Sequence, residues 1–348
     1  MEVNPADALF AQCVSAPSLS IYNPVTPAGE SIAQLSYLVY AITGGILLIV
    51  GGILTYCIIR FRRRGSSENE PPQVYGSIPI ELAWTAAPLL IVFFLVLVTT
   101  RTLWEVEVDP PEPTPGDRTL FVTVVGRQWW WEYRYDYYDG KPLGFTTANE
   151  LHIPVGDDQA PRRTYLKLAS ADVCHSFWVP NLGGKTDLIP GRINSTWIET
   201  KCTGLFLGQC AEFCGTQHAG MLLRVEVEEP DVFAAWLDRE RAVAGATSAS
   251  PPAAESAAVT RGRAAFESLS CINCHAVRGT PAVGTFGPDL THLMSRRTLA
   301  SGMIPNDREN LRAWLVDPQM IKPGCLMPSF RLNDAQLDDV VAYLESLR

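Results

Sequence analysis

Two long stretches of the chain contain no charged side chain, residues 31–59 and residues 82–100. A helix needs roughly 20 apolar residues to cross a hydrocarbon core of about 30 Å, so each stretch is long enough to span a membrane. A secretory signal peptide would be shorter and would not be followed by a second apolar stretch. The sequence therefore predicts a transmembrane hairpin at residues 32–104, preceded by an external arm at residues 1–31.

The segment between the two apolar stretches begins with RFRRR at Arg60. Basic residues next to a membrane span favour the cytoplasmic side, so both termini and everything after Arg101 should lie outside. We predict a two-span protein of the bacterial cytoplasmic membrane whose larger part is periplasmic. Glu81 opens the second stretch, where an ionisable residue is a functional candidate. A carboxylate solvated at the cytoplasmic interface explains it equally well.

The chain has no basic patch with interleaved aromatic residues, which argues against nucleic-acid binding. Residues 102–240 carry 12 Lys and Arg against 21 Asp and Glu, whereas residues 258–348 carry 10 against 9. An acidic region beside a near-neutral one is compatible with electrostatic docking between them. An acidic surface that only improves solubility is the alternative.

Four of the nine cysteines fall in two short motifs, and the other five form an odd number. An odd remainder argues against a complete disulfide framework, so we expect the cysteines mostly to hold cofactors. Lipidation of Cys13 is disfavoured, because a bulky Gln12 precedes it and no basic start is present. The cysteines outside the motifs are Cys13, Cys57, Cys174, Cys202 and Cys325.

The first motif, GQCAEFCGTQHAGM at residues 208–221, holds four metal-ligating side chains within twelve residues. Two thiolates, an imidazole and a thioether favour copper, whereas magnesium or calcium would require oxygen ligands. A further ligand must come from elsewhere, and His175 in DVCHSFW is the candidate. A zinc knot or a thiol pair is the alternative for an isolated Cys-x3-Cys. The four side chains of the motif are Cys210, Cys214, His218 and Met221.

Short alternating stretches separated by Gly and Pro turns predict a β-sandwich or barrel for residues 105–241. Residues 119–125 alternate and are β-branched, and residues 128–138 alternate more sharply. The second stretch should place its aromatic side chains on one face and Glu132, Arg134 and Asp136 on the other. The aromatic face consists of Trp129, Trp131, Tyr133, Tyr135 and Tyr137.

Residues 242–257 are mostly small, and they predict a linker before a last domain at residues 258–348. In that domain CINCH at residues 271–275 is the c-type haem attachment pattern, in which Cys271 and Cys274 bond to the porphyrin and His275 binds iron. Amphipathic helices at residues 260–269 and 333–347 surround this pattern.

A methionine opposite the histidine suits a low-spin haem that transfers electrons. Met327 lies in a proline-framed loop before the last helix and is the candidate. Met294, Met303 and Met320 are alternatives that fit packing or surface positions better.

Taken together, these motifs closely resemble subunit II of haem–copper cytochrome c oxidases, in the caa3-type form with a fused cytochrome c domain. The resemblance covers nearly everything after residue 30, and it includes GRQWWW from Gly126 and KTDLIPGR from Lys185. It implies a multidomain chain: a two-helix transmembrane hairpin, a cupredoxin-like β-barrel and an all-α class I cytochrome c domain.

The resemblance also implies two cofactors, a binuclear CuA copper centre and a covalently bound haem c. In it, Trp129 aligns with the residue through which electrons enter, and Glu81 aligns with a carboxylate near a proton path into subunit I. The Glu212 carboxylate would also help to bind magnesium at the boundary with subunit I. Arg127 departs from the pattern, because relatives often have His there. Cys174 and Cys202 would be extra thiols near the copper ligands. On a strand Cys174 would point away from His175, so we expect it to be a core residue. The implied copper ligands are bridging Cys210 and Cys214, then His175, His218, Met221 and the Glu212 carbonyl.

The function implied by the resemblance is electron entry into a membrane-bound cytochrome c oxidase. Electrons would pass from an external donor, cytochrome c or a quinol-oxidising complex, through haem c and CuA to the haem of subunit I. Oxygen reduction and proton pumping would occur there, so this chain would not be catalytic alone. Its partners would be subunit I, other oxidase subunits, the donor and membrane lipid.

Two alternatives remain, the CuA subunit of a nitric-oxide reductase and a non-enzymatic membrane copper carrier. Only the partner's identity separates the first, whereas the haem pattern argues against the second. A quinol-oxidising relative would lack the copper ligands, and all of them are present here.

Overall fold

The computed structural model describes residues 19–62, 73, 75–107, 109–156, 162–242 and 256–348. It divides into two compact units, Glu30–Val108 and a larger unit formed by Met1–Gly29 together with Asp109–Arg348. Cys13, most of the arginines after Arg60 and nearly all of the predicted linker lie outside the described residues.

The smaller unit is built from two long apolar helices, α1 (Pro27–Arg60) and α2 (Ile78–Val106). Their most apolar windows have mean hydropathies of 2.3 and 2.4, and by length and composition both can cross a membrane. Each extends beyond the uncharged stretch, since Pro is tolerated in the first turn of a helix and the Arg101–Glu105 ion pair of 3.0 Å supports the last turns of α2. Glu81 lies in the first turn of α2.

Two five-stranded sheets form the first part of the larger unit, and one cluster of buried side chains joins them into a sandwich. The first sheet has the order β3-β2-β1-β5-β8 and the second β4-β10-β9-β6-β7. The pairs β1–β5 and β4–β10 are parallel and the others are antiparallel. The strands are β1 Leu120–Arg127, β2 Trp130–Tyr138, β3 Lys141–Ala148, β4 Glu150–Pro154, β5 Thr164–Ser170, β6 His175–Trp178, β7 Thr186–Leu188, β8 Asn194–Ile198, β9 Gly204–Cys210 and β10 Leu222–Glu228.

The predicted aromatic face of β2 is present only in its middle, where Trp131, Tyr133 and Tyr135 are fully buried. Tyr137 is 40% exposed, and Trp129 precedes the strand. Glu132 departs from the predicted polar face because it is buried. Its carboxylate is compensated by ion pairs to Arg127 at 2.7 Å and Arg134 at 2.5 Å.

A helix, α3 (Pro230–Arg241), closes the sandwich by packing Phe233 and Trp236 into its core. The haem-pattern part of the chain is mainly helical and has its own core. Asn333 caps the last helix through a capping box with Gln336. The further elements are α4 Ala257–Ser268, α5 Cys271–Cys274, a 3₁₀ turn Leu293–Ser295, a two-residue pair β11 Thr298–Leu299 with β12 Ile304–Pro305, α6 Arg308–Val316, α7 Pro318–Ile321 and α8 Asp334–Glu345.

Helices α4 and α8 approach most closely at Gly262, where an added Cβ would overlap the Asp339 carbonyl. We predict that Gly262→Val lowers the free energy of unfolding of the helical domain by about 3 kcal/mol, because overpacking forces the two helices apart. Urea unfolding of the full chain, followed by circular dichroism in the haem region, measures it. Ala264→Val is the control, since Ala264 is exposed on the same helix. Equal losses in both variants would contradict the close crossing.

Candidate copper and haem sites

The copper-type motif forms the connection between two neighbouring strands. Strand β9 ends at Cys210, and β10 begins directly after Met221. The backbone N–H of Cys210 donates to the Met221 carbonyl at 3.0 Å, which closes the loop. Strand β6, which begins at His175, pairs with the other edge of β9. The sheet order thus brings His175 beside a loop that is 35 residues away in sequence.

The five predicted side-chain ligands, four from this loop and His175 from β6, lie close together. Cys210 Sγ lies 3.7 Å from Cys214 Sγ and 4.0 Å from His175 Nδ1. Cys214 Sγ lies 3.7 Å from His218 Nδ1 and 3.8 Å from Met221 Sδ. The donor atoms of His175, Cys210 and Cys214 all lie within 4.8 Å of one another.

Both thiols at the centre of the group are free and buried. A hydrogen bond from the Cys214 thiol lowers the pKa of Cys210, and the same contact raises the pKa of Cys214. The pair therefore holds one thiolate readily, and a thiolate is the form that binds metal. Two thiol sulfurs, two imidazoles and a thioether sulfur fit copper. They do not fit a hard cation, which prefers oxygen ligands.

Glu212 contributes its backbone rather than its side chain to this group. Its carbonyl lies 3.2 Å from Cys210 Sγ, whereas its side chain is exposed. The two parts of the residue thus face different surroundings. This arrangement is compatible with separate roles for the carbonyl and the carboxylate.

Asp172 orients the His175 ring, a role that the sequence did not reveal. Its Oδ1 lies 2.7 Å from His175 Nε2, which leaves Nδ1 directed at Cys210. Burial favours a higher pKa for Asp172, but hydrogen bonds from His175, Gln128 N–H and Val173 N–H outweigh it and lower the pKa. The only signal in the sequence was an acid three residues before the histidine.

We predict that Asp172→Asn weakens copper binding by about 10–100-fold, the usual cost of changing a residue that orients a metal ligand. The amide can still hydrogen-bond, but it does not supply the negative charge that fixes the imidazole. Competition with a copper chelator measures the affinity. Asp187→Asn, on neighbouring β7 where Asp187 pairs with Ser176 and not with His175, is the control. An unchanged affinity in Asp172→Asn would contradict the orienting role.

Two further cysteines differ from expectation. Cys174 was interpreted as a core residue, but it is exposed because it precedes β6 and follows the bend at residues 171–173. Cys202 was interpreted as an extra thiol near the ligands, but it is 1% exposed and disulfide-bonded. Neither residue belongs to the group of His175, Cys210 and Cys214.

Trp129 is fixed against the copper-type loop. Its indole Nε1 donates to the Cys214 carbonyl at 2.9 Å, and Gln128 Nε2 donates to the same oxygen at 2.7 Å. A Cβ at Gly215 would lie 3.1 Å from the indole ring, and the φ of +115° at this position also favours glycine. The peptide bond between Gln128 and Trp129 is cis. The indole therefore contacts the backbone of a ligand-bearing residue.

The CINCH pattern forms the short helix α5, with His275 directly after it. His275 Nδ1 lies 2.8 Å from the Pro288 carbonyl, which fixes Nδ1 as the donor and leaves Nε2 as the ligating atom. Burial of the ring lowers the pKa of His275 and keeps it neutral. Gly287 provides the space, because an added Cβ would lie 2.6 Å from the ring.

A cavity of about 210 Å³ opens next to this histidine. Cys271, Cys274 and His275 form one wall, and Met327 also lines it. The remaining lining is mostly apolar, as a porphyrin requires. The donor set and the cavity together fit a covalently attached haem. Trp129 and Trp130 of the β-sandwich line the same cavity.

The three alternative methionines lie elsewhere. Met294 packs against the helical core, and Met320 is 81% exposed. Met303 is 38% exposed and faces Gly220 of the copper-type loop. Met327 is therefore the methionine best placed to share the cavity with His275. Glu81 belongs to the smaller unit.

Comparison with known proteins gives matches over all three parts of the chain. The family description "Cytochrome C oxidase subunit II, periplasmic domain" matches residues 120–228, and its transmembrane counterpart matches residues 17–101. The description "Cytochrome c" matches residues 259–348.

Curated relatives are similar over most of the chain. Cytochrome c oxidase subunit 2 of Alkalihalophilus pseudofirmus is 33% identical over 97% of this chain and 93% of the relative. The protein of the same name from Bacillus sp. PS3 is 34% identical over 83% and 80%. A solved periplasmic domain of subunit II of cytochrome oxidase from Bradyrhizobium japonicum is 32% identical with a TM-score of 0.32, covering 38% of this chain and 97% of that structure. Because the first match spans nearly the full length of both proteins, the chain belongs to the cytochrome c oxidase subunit II family, in a form that carries a C-terminal cytochrome c domain.

Proposed function

We propose that this chain receives electrons from an external donor in its cytochrome c domain, passes them to its copper site, and delivers them to the haem of subunit I. Membership of the family makes the chain a subunit of a cytochrome c oxidase with a role in electron transfer. It also implies CuA copper, haem c, association with subunit I and a periplasmic domain on a membrane protein. The proposal adds the order of transfer and the residues.

The observation that carries the proposal is the position of Trp129. Trp129 lines the cavity that holds the CINCH pattern, and its indole Nε1 donates to the carbonyl of Cys214. One residue therefore contacts both sites. Electrons that enter through the cytochrome domain would need only this residue and its hydrogen bond to reach the copper ligands.

Copper and haem supply one-electron redox chemistry when they are bound, and the residues of the chain hold them rigidly. Cys210, Cys214, His175, His218, Met221 and the Glu212 carbonyl would hold the copper. In the cavity Cys271, Cys274, His275 and Met327 would hold the haem, with the two cysteines forming its thioether bonds. Strand ends and apolar walls limit rearrangement and exclude water, which favours fast transfer.

The remaining assignments concern the membrane and the partners. We assign both termini to the periplasmic side, because Arg60 begins the basic segment between the helices. Glu81 would lie near the mouth of a proton path into subunit I, and the exposed Glu212 carboxylate would bind magnesium at that boundary. Oxygen reduction and proton pumping belong to subunit I. The donor would be cytochrome c or a quinol-oxidising complex.

Rapid mixing of the assembled oxidase with a reduced donor tests the order of transfer. We expect the haem absorbance to change before the near-infrared copper band. In the double variant Cys271→Ser/Cys274→Ser, the donor should no longer reduce copper, whereas a small chemical reductant still does. Reduction of copper before haem in the wild-type protein, or normal donor-driven reduction in the double variant, would overturn the proposal.

A further inference from the structure

The cytochrome domain inserts a lysine into the surface of the β-sandwich. Lys322 is only 3% exposed. Its Nζ donates to the carbonyls of Trp129 at 2.7 Å, Gly220 at 2.9 Å and Ala300 at 3.2 Å. The first two carbonyls belong to the sandwich, and Gly220 directly precedes Met221. The ammonium therefore joins the cytochrome domain to Trp129 and to the copper-type loop.

A buried lysine without a carboxylate partner is uncommon and requires full hydrogen bonding. An ammonium has three N–H donors, and here three backbone carbonyls accept them. Burial lowers the pKa of Lys322 to about 8, so the side chain is still mostly protonated at neutral pH. All three N–H donors of Lys322 are thus satisfied in its buried position.

Residues next to Lys322 and in the copper-type loop make further close contacts between the two domains. Gln217 Nε2 donates to the Pro323 carbonyl at 2.5 Å. Gly324 has a φ of +85°, and a Cβ there would lie 3.0 Å from the Thr216 side chain. A Cβ at Gly220 would lie 3.0 Å from Met303 Sδ. A side chain at either glycine would therefore make a tight contact across the two surfaces.

A second group of polar contacts lies on strands β4 and β10 of the sandwich. Glu150 accepts from Arg297 N–H at 2.9 Å and from Thr298 Oγ1 at 2.6 Å. Glu226 forms an ion pair with Arg297 at 2.7 Å. Arg224 Nη2 donates to the Gly302 carbonyl at 2.9 Å. Two acidic groups of the sandwich thus meet Arg297 of the cytochrome domain.

We infer that Lys322 is the positioning residue that docks the cytochrome domain onto the copper loop, so that the haem cavity is closed on one side by Trp129. The contacts of Glu150 and Glu226 set the orientation, whereas Lys322 bonds to the residue through which we propose electrons pass. In the docked arrangement the tethered domain covers this face of Trp129. A separate donor protein would have to deliver its electrons to the cytochrome domain instead.

The kinetic consequence rests on the proposed function, but the docking contact itself does not. Lys322→Met keeps the length of the side chain and leaves the three carbonyls without their donor. We expect the docked population to fall by about tenfold, because each buried acceptor loses its partner. Lys141→Met is the matched control, since Lys141 is 79% exposed and remote from these contacts.

The first measurement uses the assembled, cofactor-loaded oxidase. After rapid photoreduction of the haem, Lys322→Met should transfer electrons to copper about tenfold more slowly, with unchanged haem and copper spectra. Lys141→Met should transfer at the wild-type rate. An unaltered rate in Lys322→Met would overturn the inference. Absence of transfer in the wild-type protein would instead overturn the proposed function.

The second measurement requires no variant and no electron transfer. In the wild-type full chain, brief treatment with an amine-acylating reagent should modify Lys141 readily and Lys322 about tenfold more slowly, since only exposed amines react. Mass spectrometry of the peptides gives both rates. Equal labelling of the two lysines would show that the contact is not populated and would overturn the inference.

Discussion

Replacement of Cys210 by serine should remove the near-infrared copper band and abolish oxidase turnover, while the haem is still reduced by the donor. The sulfur of Cys210 lies close to three other groups that could bind a metal. Its sulfur lies 3.7 Å from Cys214 Sγ, 4.0 Å from His175 Nδ1 and 3.2 Å from the Glu212 carbonyl. Serine offers a hard, protonated oxygen in place of a soft thiolate, and copper selects the latter.

The size of this effect follows from a comparison with residues outside the ligand set. Changing a partner that only orients a metal ligand costs about 10–100-fold in affinity. Loss of the ligand should therefore cost more than about 100-fold. The low pKa of Cys210, caused by the hydrogen bond from the Cys214 thiol, would disappear as well. Copper analysis, electron paramagnetic resonance and turnover of the assembled oxidase measure the three consequences.

Cys174→Ser is the matched control for this prediction. It is the same chemical change one residue before the ligand His175, at a thiol that is exposed and free. Copper content and turnover should stay at the wild-type level. A serine at position 174 that also removes copper would mean that the exposed thiol belongs to the site. Retention of copper by Cys210→Ser would contradict the bridging role.

Local patterns in the sequence were sufficient to predict which side chains of each motif lie close together. The residues from Cys210 to Met221 lie within one loop, and the CINCH pattern lies within one helical turn. Because these side chains are so close in sequence, few backbone angles decide whether they lie together. His175 is distant in sequence, yet it could be predicted because the loop lacked a ligand and the chain has only five histidines. The helical hairpin could be predicted because uncharged apolar stretches of this length are typical of membrane-spanning helices.

Contacts between the two domains could not be predicted in the same way. Lys322 is 193 residues from Trp129, and nothing in KPG distinguishes it from a surface lysine. Glu132 breaks the polar face of β2 because two arginines compensate its charge in the folded chain. Cys174 and Cys202 were misjudged for a related reason. The start of a strand and the partner of a disulfide are decided by tertiary structure and not by alternation.

Replacement of Met327 by alanine should convert the haem from a low-spin to a high-spin spectrum and slow donor-driven turnover strongly. Met327 lines the cavity that also contains His275, whose Nε2 is the free ring nitrogen. Its loop is held in place by Gln319 Nε2, which lies 2.9 Å from the Cys325 carbonyl and 3.3 Å from the Met327 carbonyl. Alanine preserves these backbone contacts and removes only the thioether.

The energetic consequence is a lower haem potential, because ligation by Met opposite His raises it. For a one-electron couple, a fall of about 59 mV changes the ratio of reduced to oxidised haem tenfold. We expect a fall of at least about this size, so that the donor reduces a much smaller fraction of the haem. Absorption spectra and a redox titration of the purified full chain measure both effects, and copper content should not change.

The control is Met320→Ala, the same substitution seven residues earlier in the chain. Met320 was one of the alternative ligands, and it is 81% exposed on α7. The haem spectrum and the potential should remain at wild-type values in this variant. If Met320→Ala rather than Met327→Ala produced the high-spin spectrum, the loop around Met327 would have to rearrange when haem binds. Since Gly324, only three residues before Met327, packs against Thr216 of the copper loop, such a rearrangement would also disturb the docking of the cytochrome domain. The two variants therefore test the ligand and the rigidity of the loop that presents it.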